Sequence, residues 1–269
     1  MMKIFKFLRA AGLLFTRPYL ANVLLQQNEF NKNIVNKKYG FHDGLPKIDW
    51  SQLTEKKEFT IPTYSFLEGG SLPTDYLLLR ILTEKFASCR YFEIGTWRGE
   101  SAANVAPSAK EVFTLNLPAK TMREQKLSEQ YIELQGFFSR GIPNIKHLEG
   151  DSSLFDFKPF QGTCDVIFID GDHHYESVKR DTENCFALRK DSKSVMVWHD
   201  YGHSTETIRW EVLRGILDGL PAHEHKHLYS VSNTLCAIYY PYPVTAFPLE
   251  YPQTPRDNFS INIHINPLN

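Results

Sequence analysis

The sequence predicts an α/β protein built on a doubly wound, mainly parallel, seven-stranded Rossmann-like sheet with an antiparallel last strand, preceded by a helical and extended N-terminal segment. Two observations predict it. Strand-like apolar runs alternate with helix-like stretches from CRYFEIG at residue 89 to the helix ending near Leu220, and such alternation implies right-handed crossovers and helices on both faces of a parallel sheet. The final two β-rich runs, KHLYSVS and TLCAIYYP, have only Asn233 as a turn signal and no helix between them, so they should pair antiparallel.

The elements follow in order. In the first 25 residues Ile4, Leu8, Ala11 and Phe15 recur at helical spacing with Lys3, Lys6 and Arg9 mostly on the other side, a basic amphipathic helix suited to packing on protein or to lying on an anionic membrane surface. The apolar patch there is too short for a secretory signal, and Arg17-Pro18 interrupts it. Residues 26–70 are polar and without period, and are expected to form an extended lead-in. A helix is predicted from Thr74 to Phe86, burying Leu77, Ile81 and Phe86, with Thr74 or Asp75 as its cap. Strands are then expected at CRYFEIG, EVFTLNL, NIKHLEG, CDVIFID and SVMVWHD, and helices at SAANVAPSA, 121–140, YESVKRDTENCFALRK and TETIRWEVLRGILDGL. Proline-punctuated residues after 243 suggest a surface tail. The expected organisation is a lead-in over 1–70, one domain over 71–243 and a tail over 244–269.

Composition narrows the function. Among 269 residues, 30 Lys plus Arg oppose 31 Asp plus Glu, a net charge of −1, so no overall field exists to gather nucleic acid. An aromatic share of 13% argues for a folded chain. The four cysteines are scattered, without a CxxC pair, which fits a reducing compartment and a cytoplasmic protein, with residues 1–25 as its candidate contact to a membrane surface. No run reaches the roughly 20 apolar residues a spanning helix needs. A homo-oligomer is compatible with all of this.

Ligands of doubly wound sheets bind outside the carboxyl ends of the strands. There the first strand leads through Glu93-Ile94-Gly95-Thr96-Trp97-Arg98-Gly99-Glu100-Ser101 into a helix. Gly95 would admit close backbone approach and Gly99 a tight helix entry. A nicotinamide dinucleotide site wants three glycines as GxGxxG, and Glu93 would repel a pyrophosphate at close range while suiting a cation.

Four motifs in order, YFEIGTWRGESA, GDSSLFDF, DVIFIDGDHHYESVKRD and VWHDY, resemble the class I S-adenosylmethionine-dependent methyltransferases. The branch they resemble holds catechol-type and macrolide-sugar O-methyltransferases and cephalosporin hydroxylase-like proteins, and the resemblance spans about residues 74–240. It implies S-adenosylmethionine as cofactor, with Glu93 at its ammonium end, and Gly95, Thr96, Gly99 and Ser101 forming the close-approach loop. It also implies Asp151 and the Ser152 amide at the adenine, and Asp170 lining the methyl-transfer site. The second strand ends in Asn116, where the family usually has an acid gripping the ribose hydroxyls; an amide loses the charge-assisted bond.

Asp170-Gly171-Asp172-His173-His174 and His199-Asp200-Tyr201 follow neighbouring strands. Oxygen ligands from Asp170, Asp172 and Asp200 would suit Mg2+ or another divalent cation; alternatively Asp172 caps the following helix and His199 packs against the sheet. His173 is the first choice of general base, with Asp170 beside it, because an imidazole titrates near neutrality; it serves equally well as a helix-cap residue. His223, His225 and His227 alternate as on a solvated strand edge and lack a matching carboxylate partner. The leading expectation is therefore methyl transfer to a hydroxyl of a small molecule or saccharide. An NAD-dependent oxidoreductase and a non-catalytic binding module held to a membrane or protein partner are the alternatives.

Overall fold

A computed structural model of the chain describes residues 9, 11–14, 16, 17 and 27–267. Ile4, Leu8 and Phe15 of the amphipathic stretch lie outside the described residues. The first long element is helix α1, Gln27–Tyr39, within the stretch expected to be extended. Only Asn31 and Val35 of α1 are buried, so its sequence carries almost no apolar period, and it is held instead by packing on a later helix.

The main sheet has eight strands rather than the expected seven. Strand β1, Lys47–Ile48, comes from the lead-in and pairs in parallel with β9, Leu228–Val231, at the sheet edge. The remaining strands are β2 (Cys89–Ile94), β3 (Ala109–Asn116), β4 (Ile145–Glu149), β5 (Val166–Ile169), β6 (Val195–Trp198) and β10 (Ala237–Tyr239). Their order is β1-β9-β10-β6-β5-β2-β3-β4. Strand β10 runs antiparallel to both β6 and β9, as its helix-free connection predicts. A short hairpin, β7 (Gly202–Ser204) with β8 (Thr207–Ile208), stands apart from the sheet.

Strands β5 and β6 are buried on both faces, which is why VIFI and VMVW are unbroken apolar runs. On one face Phe92, Ile94, Ile167, Ile169, Met196 and Trp198 pack under α1, α6 (Tyr175–Phe186) and α7 (Trp210–Gly219). On the other, Tyr91, Val166, Phe168 and Val197 pack under α2 (Pro73–Glu84) and α3 (Glu100–Val105). Helix α2 buries Leu78, Leu79, Ile81 and Leu82, a different stripe from the expected Leu77, Ile81 and Phe86.

The single helix expected over 121–140 is instead two short ones, α4 (Ala119–Glu124) and α5 (Glu129–Glu133). Lys126 and Gly136 take positive φ, and the Ser128 hydroxyl caps α5 by accepting the Tyr131 N–H. The stretch expected as one helix from Thr205 likewise begins with β8, and α7 starts only at Trp210. His223, His225 and His227 lie in a 3-10 turn rather than on a strand. The tail runs extended beside β1, where Lys47 and Phe247 exchange backbone hydrogen bonds. No helix among the described residues is long and apolar enough to cross a membrane.

Candidate active site at the carboxyl edge of the sheet

Parallel register fixes the row of residues at the carboxyl edge. Leu148, Leu115, Ile94, Ile169 and Trp198 are register partners across β4, β3, β2, β5 and β6. One residue further along each strand stand Glu149, Asn116, Gly95, Asp170 and His199. Backbone bonds pin three of them: the N–H groups of Gly95, Asp170 and His199 donate to the carbonyls of Leu115, Ile94 and Ile169.

The glycine loop is shaped by its close neighbours. Gly95 has φ +102°, and a Cβ there would lie 1.9 Å from the Asp170 carbonyl oxygen. Thr96 is buried and its hydroxyl meets that of Thr114 at 2.5 Å. Trp97 takes φ +41° and stacks on Tyr131 with ring centroids 4.3 Å apart. Gly99, at φ +78°, caps α3, whose buried Ser101 sits in its first turn. Arg98 reaches out of this loop to the carbonyls of Leu67 and Glu68, holding the preceding segment against it.

Glu93 is fully buried on the α2–α3 face. One carboxylate oxygen accepts the Tyr91 hydroxyl at 2.8 Å, while Oε1 has no partner. Burial pushes its carboxyl up to about 7, against the opposing pull of the neighbouring Thr114, Tyr91 and Ser101 hydroxyls. An orphaned, buried carboxylate oxygen is a strong reason to expect a cationic partner. Asn116 donates its amide to Gln135 at 2.8 Å, so the side chain is oriented before any ligand arrives. Asp151 accepts the Ser153 N–H at 2.8 Å, and bonds from Ser153 hold its carboxyl below the ordinary range. It is thus an ionised acceptor, with Ser152 next to it. Glu93 near the end of β2, Asn116 at the end of β3 and Asp151 just beyond β4 are groups whose chemistry would suit the ammonium, ribose and adenine of a sulfonium nucleoside.

A second group gathers beside them. His199 Nδ1 is 3.0 Å from Asp170 and 3.7 Å from Asp200, and its Nε2 is 3.2 Å from Asp75. Burial would lower the imidazole, but the carboxylates of Asp170, Asp200 and Asp75 outweigh it and raise His199 well above its ordinary value. Burial raises Asp170. Burial acts on Asp200 in the same direction, yet His199, Arg209 and His173 bring it down to about 2. Asp200 adopts φ +59°, an uncommon backbone state for a residue other than glycine, of the kind that clusters at functional sites.

Asp170, His199 and Asp200 offer three donor atoms within 4.8 Å of one another. The 3.0 Å approach to Asp170 lacks aligned hydrogen-bond geometry, leaving His199 Nδ1 without a hydrogen-bond partner. Two carboxylates and an imidazole nitrogen so placed fit a divalent cation. Asp172 stands outside this group: it accepts the His174 N–H and the Ser177 hydroxyl at the start of α6, a capping role. His173 lies at the rim of the cleft, 3.9 Å from Asp200 and stacked on His174. The cleft between β5 and β6 is lined by Asp170, His173, Trp198, His199 and Asp200 among others. Sequence reasoning gave His199 no chemical role; the His-Asp pair directly after an apolar strand was the available signal.

The family model described as a methyltransferase domain matches residues 92–201, which span the glycine loop, Asp151, Asp170 and the His199-Asp200 pair. No curated protein matches the chain. Among solved structures, it is similar to the O-methyltransferase from Bacillus cereus in complex with SAH, at 20% identity and TM-score 0.45, covering 64% of this chain and 82% of that one. It is also similar to cofactor-bound Rv0187 from MTB, at 18% identity and TM-score 0.44, covering 65% and 83%. Similarity to the YcgJ protein from Bacillus subtilis is at 19% identity and TM-score 0.36, over 46% of this chain and only 50% of that one. The oxidoreductase alternative is not favoured. Residues 92–201 thus match a methyltransferase domain, and they lie within the α/β fold that the four motifs imply.

Proposed function

We propose that the protein transfers the methyl group of S-adenosylmethionine to a hydroxyl of a small molecule or saccharide. The observation that carries this reading is the convergence of Asp170, His199 and Asp200 next to the Gly95 loop on one edge of the sheet. S-adenosylmethionine, when bound, supplies a sulfonium methyl for in-line displacement. The chain's own task is to align the acceptor oxygen and to take its proton. Glu93 and Asp151 hold the two ends of the nucleoside, and Asn116 meets the ribose through its carbonyl oxygen. Asp170 and Asp200 orient the acceptor hydroxyl, and His173 at the rim receives the proton. A divalent cation held by Asp170, His199 and Asp200 would lower the acceptor's pKa.

A screen of hydroxylated acceptors with labelled methyl donor tests the reaction. Transfer to nitrogen or carbon acceptors alone would overturn the O-directed reading. Calorimetry with S-adenosylhomocysteine tests the pocket: Glu93→Ala and Asp151→Ala should each weaken binding about tenfold or more, the scale of a lost charged hydrogen bond, and unchanged affinity in both would remove the assignment. Chelation should depress turnover, and activity indifferent to chelator would remove the cation.

Glu93 also gives binding a pH dependence of definite sign. Its carboxyl is raised to about 7 in the free protein, so below that pH a cationic ligand must displace a proton. Affinity for S-adenosylhomocysteine should therefore rise by up to about tenfold per unit as pH increases toward 7, then level off. Stability of the ligand-free protein should move the other way. Between the ordinary carboxyl value of 4.5 and about 7 the folded state holds a proton that the unfolded chain has lost, so this group's contribution falls as pH rises. Glu93→Gln should flatten both profiles.

A further inference from the structure

Asp75 lies on α2, outside the matched methyltransferase segment, and its carboxylate is completely buried. It collects three donors and faces an imidazole nitrogen. Oδ2 accepts the Leu72 N–H at 2.7 Å and faces His199 Nε2 at 3.2 Å. Oδ1 accepts the Leu235 N–H at 2.9 Å and the Cys236 thiol at 3.5 Å. The first bond closes the N-terminus of α2, and the Oδ1 pair ties down the turn between β9 and β10. Two backbone N–H groups from separate elements therefore fix the carboxylate before it meets the imidazole. Each His199 nitrogen faces a carboxylate, but the two sides differ: Asp75 is fully buried, whereas Asp170 and Asp200 are about one quarter exposed on the cleft.

We propose that Asp75 is the positioning residue of the site: by accepting the proton on His199 Nε2 it fixes the ring so that Nδ1 is presented to Asp170 and Asp200. This rests on the methyl-transfer reading for its consequence, but not for its geometry. Charged or neutral, the ring keeps a proton on the nitrogen that faces a buried acceptor, and in the neutral ring that partner decides which nitrogen holds it. With Asp75 in place, Nε2 keeps its proton and Nδ1 is the nitrogen facing the cleft. With an amide at position 75, the side chain can donate to Nε2 instead, and the tautomer reverses. Helix α2 and the β9–β10 turn thereby set the chemistry of a residue that follows β6.

The test combines a spectrum with a double-mutant cycle. In the wild-type protein labelled with 15N-histidine, His199 should show a protonated Nε2 with its proton shifted downfield; a bare Nε2 would overturn the proposal. That reading needs no turnover, so a protonated Nε2 in a protein that methylates no acceptor would sink the functional reading and leave the positioning intact. Asp75→Asn should lower kcat about 10- to 100-fold, the usual cost of losing the outer partner of an active-site imidazole, with KM for S-adenosylmethionine little changed. In a His199→Gln background the same substitution should cost less than about twofold, because residues acting through one another are non-additive. Equal losses in both backgrounds would assign Asp75 a purely structural role and refute the proposal. Should Asp75→Asn fail to fold, the wild-type spectrum alone decides.

Discussion

Asp170→Asn is expected to lower kcat by about 10²- to 10⁴-fold, the range associated with a group that positions or accepts the transferred proton. The substitution preserves shape, and the Asp170 backbone is fixed by its bond to the Ile94 carbonyl, so the fold should survive with its Tm within a few degrees. What changes is charge. His199 would lose the nearest of its three carboxylates, and the cleft would lose one of the two acids facing the acceptor. Affinity for S-adenosylhomocysteine should fall much less than kcat, since the proposed grips on the nucleoside, Glu93 and Asp151, are left unchanged. Single-turnover kinetics with a fixed acceptor, beside calorimetry on the same variant, separates the two. Wild-type turnover in Asp170→Asn would move the chemistry away from the β5–β6 cleft.

Much of this site was legible in the sequence because the parallel strands carry their own punctuation. VIFI and VMVW are buried on both faces, so an apolar run ends where the sheet ends, and the first polar residue beyond it stands on the functional edge. Asp170 and Asp200 stand out in that way, and Gly95 likewise. Other features have no local signature. Strand β1 is two residues long and shows no alternation; it exists because β9 offers it an edge. Helix α1 is polar along nearly its whole length and is set by tertiary packing. The break in 121–140 turns on positive φ at Lys126 and Gly136, which helical spacing does not announce. The orientation of His199 depends on Asp75, 124 positions earlier, and no pattern within either segment reports such a contact. Asp172 admits two readings from sequence, cation ligand and helix cap, and its bonds to His174 and Ser177 favour the second.

Gly95→Ala should be among the most damaging small substitutions in the domain, at about 2–6 kcal/mol: strained backbone costs about 1–3 kcal/mol, and overpacking adds a similar amount. The added Cβ would stand 1.9 Å from the Asp170 carbonyl oxygen and 2.6 Å from its carbonyl carbon. Neither side can yield cheaply, because the N–H groups of Gly95 and Asp170 are bonded to Leu115 and Ile94 on adjacent strands. Relief would come only by parting β2 from β5 at the point where ligand and acceptor are expected to meet. Gly141 provides the control, since it also has positive φ, +78°, but a Cβ there meets nothing within 4 Å. Gly141→Ala should therefore cost only the backbone term, about 1–2 kcal/mol. Urea unfolding of the two variants measures the difference, and S-adenosylhomocysteine titration of whatever Gly95→Ala remains folded should show binding lost. Equal destabilisation in the two would mean that the glycine loop does not press on the Asp170 backbone, and the edge would then be wide enough for a side chain.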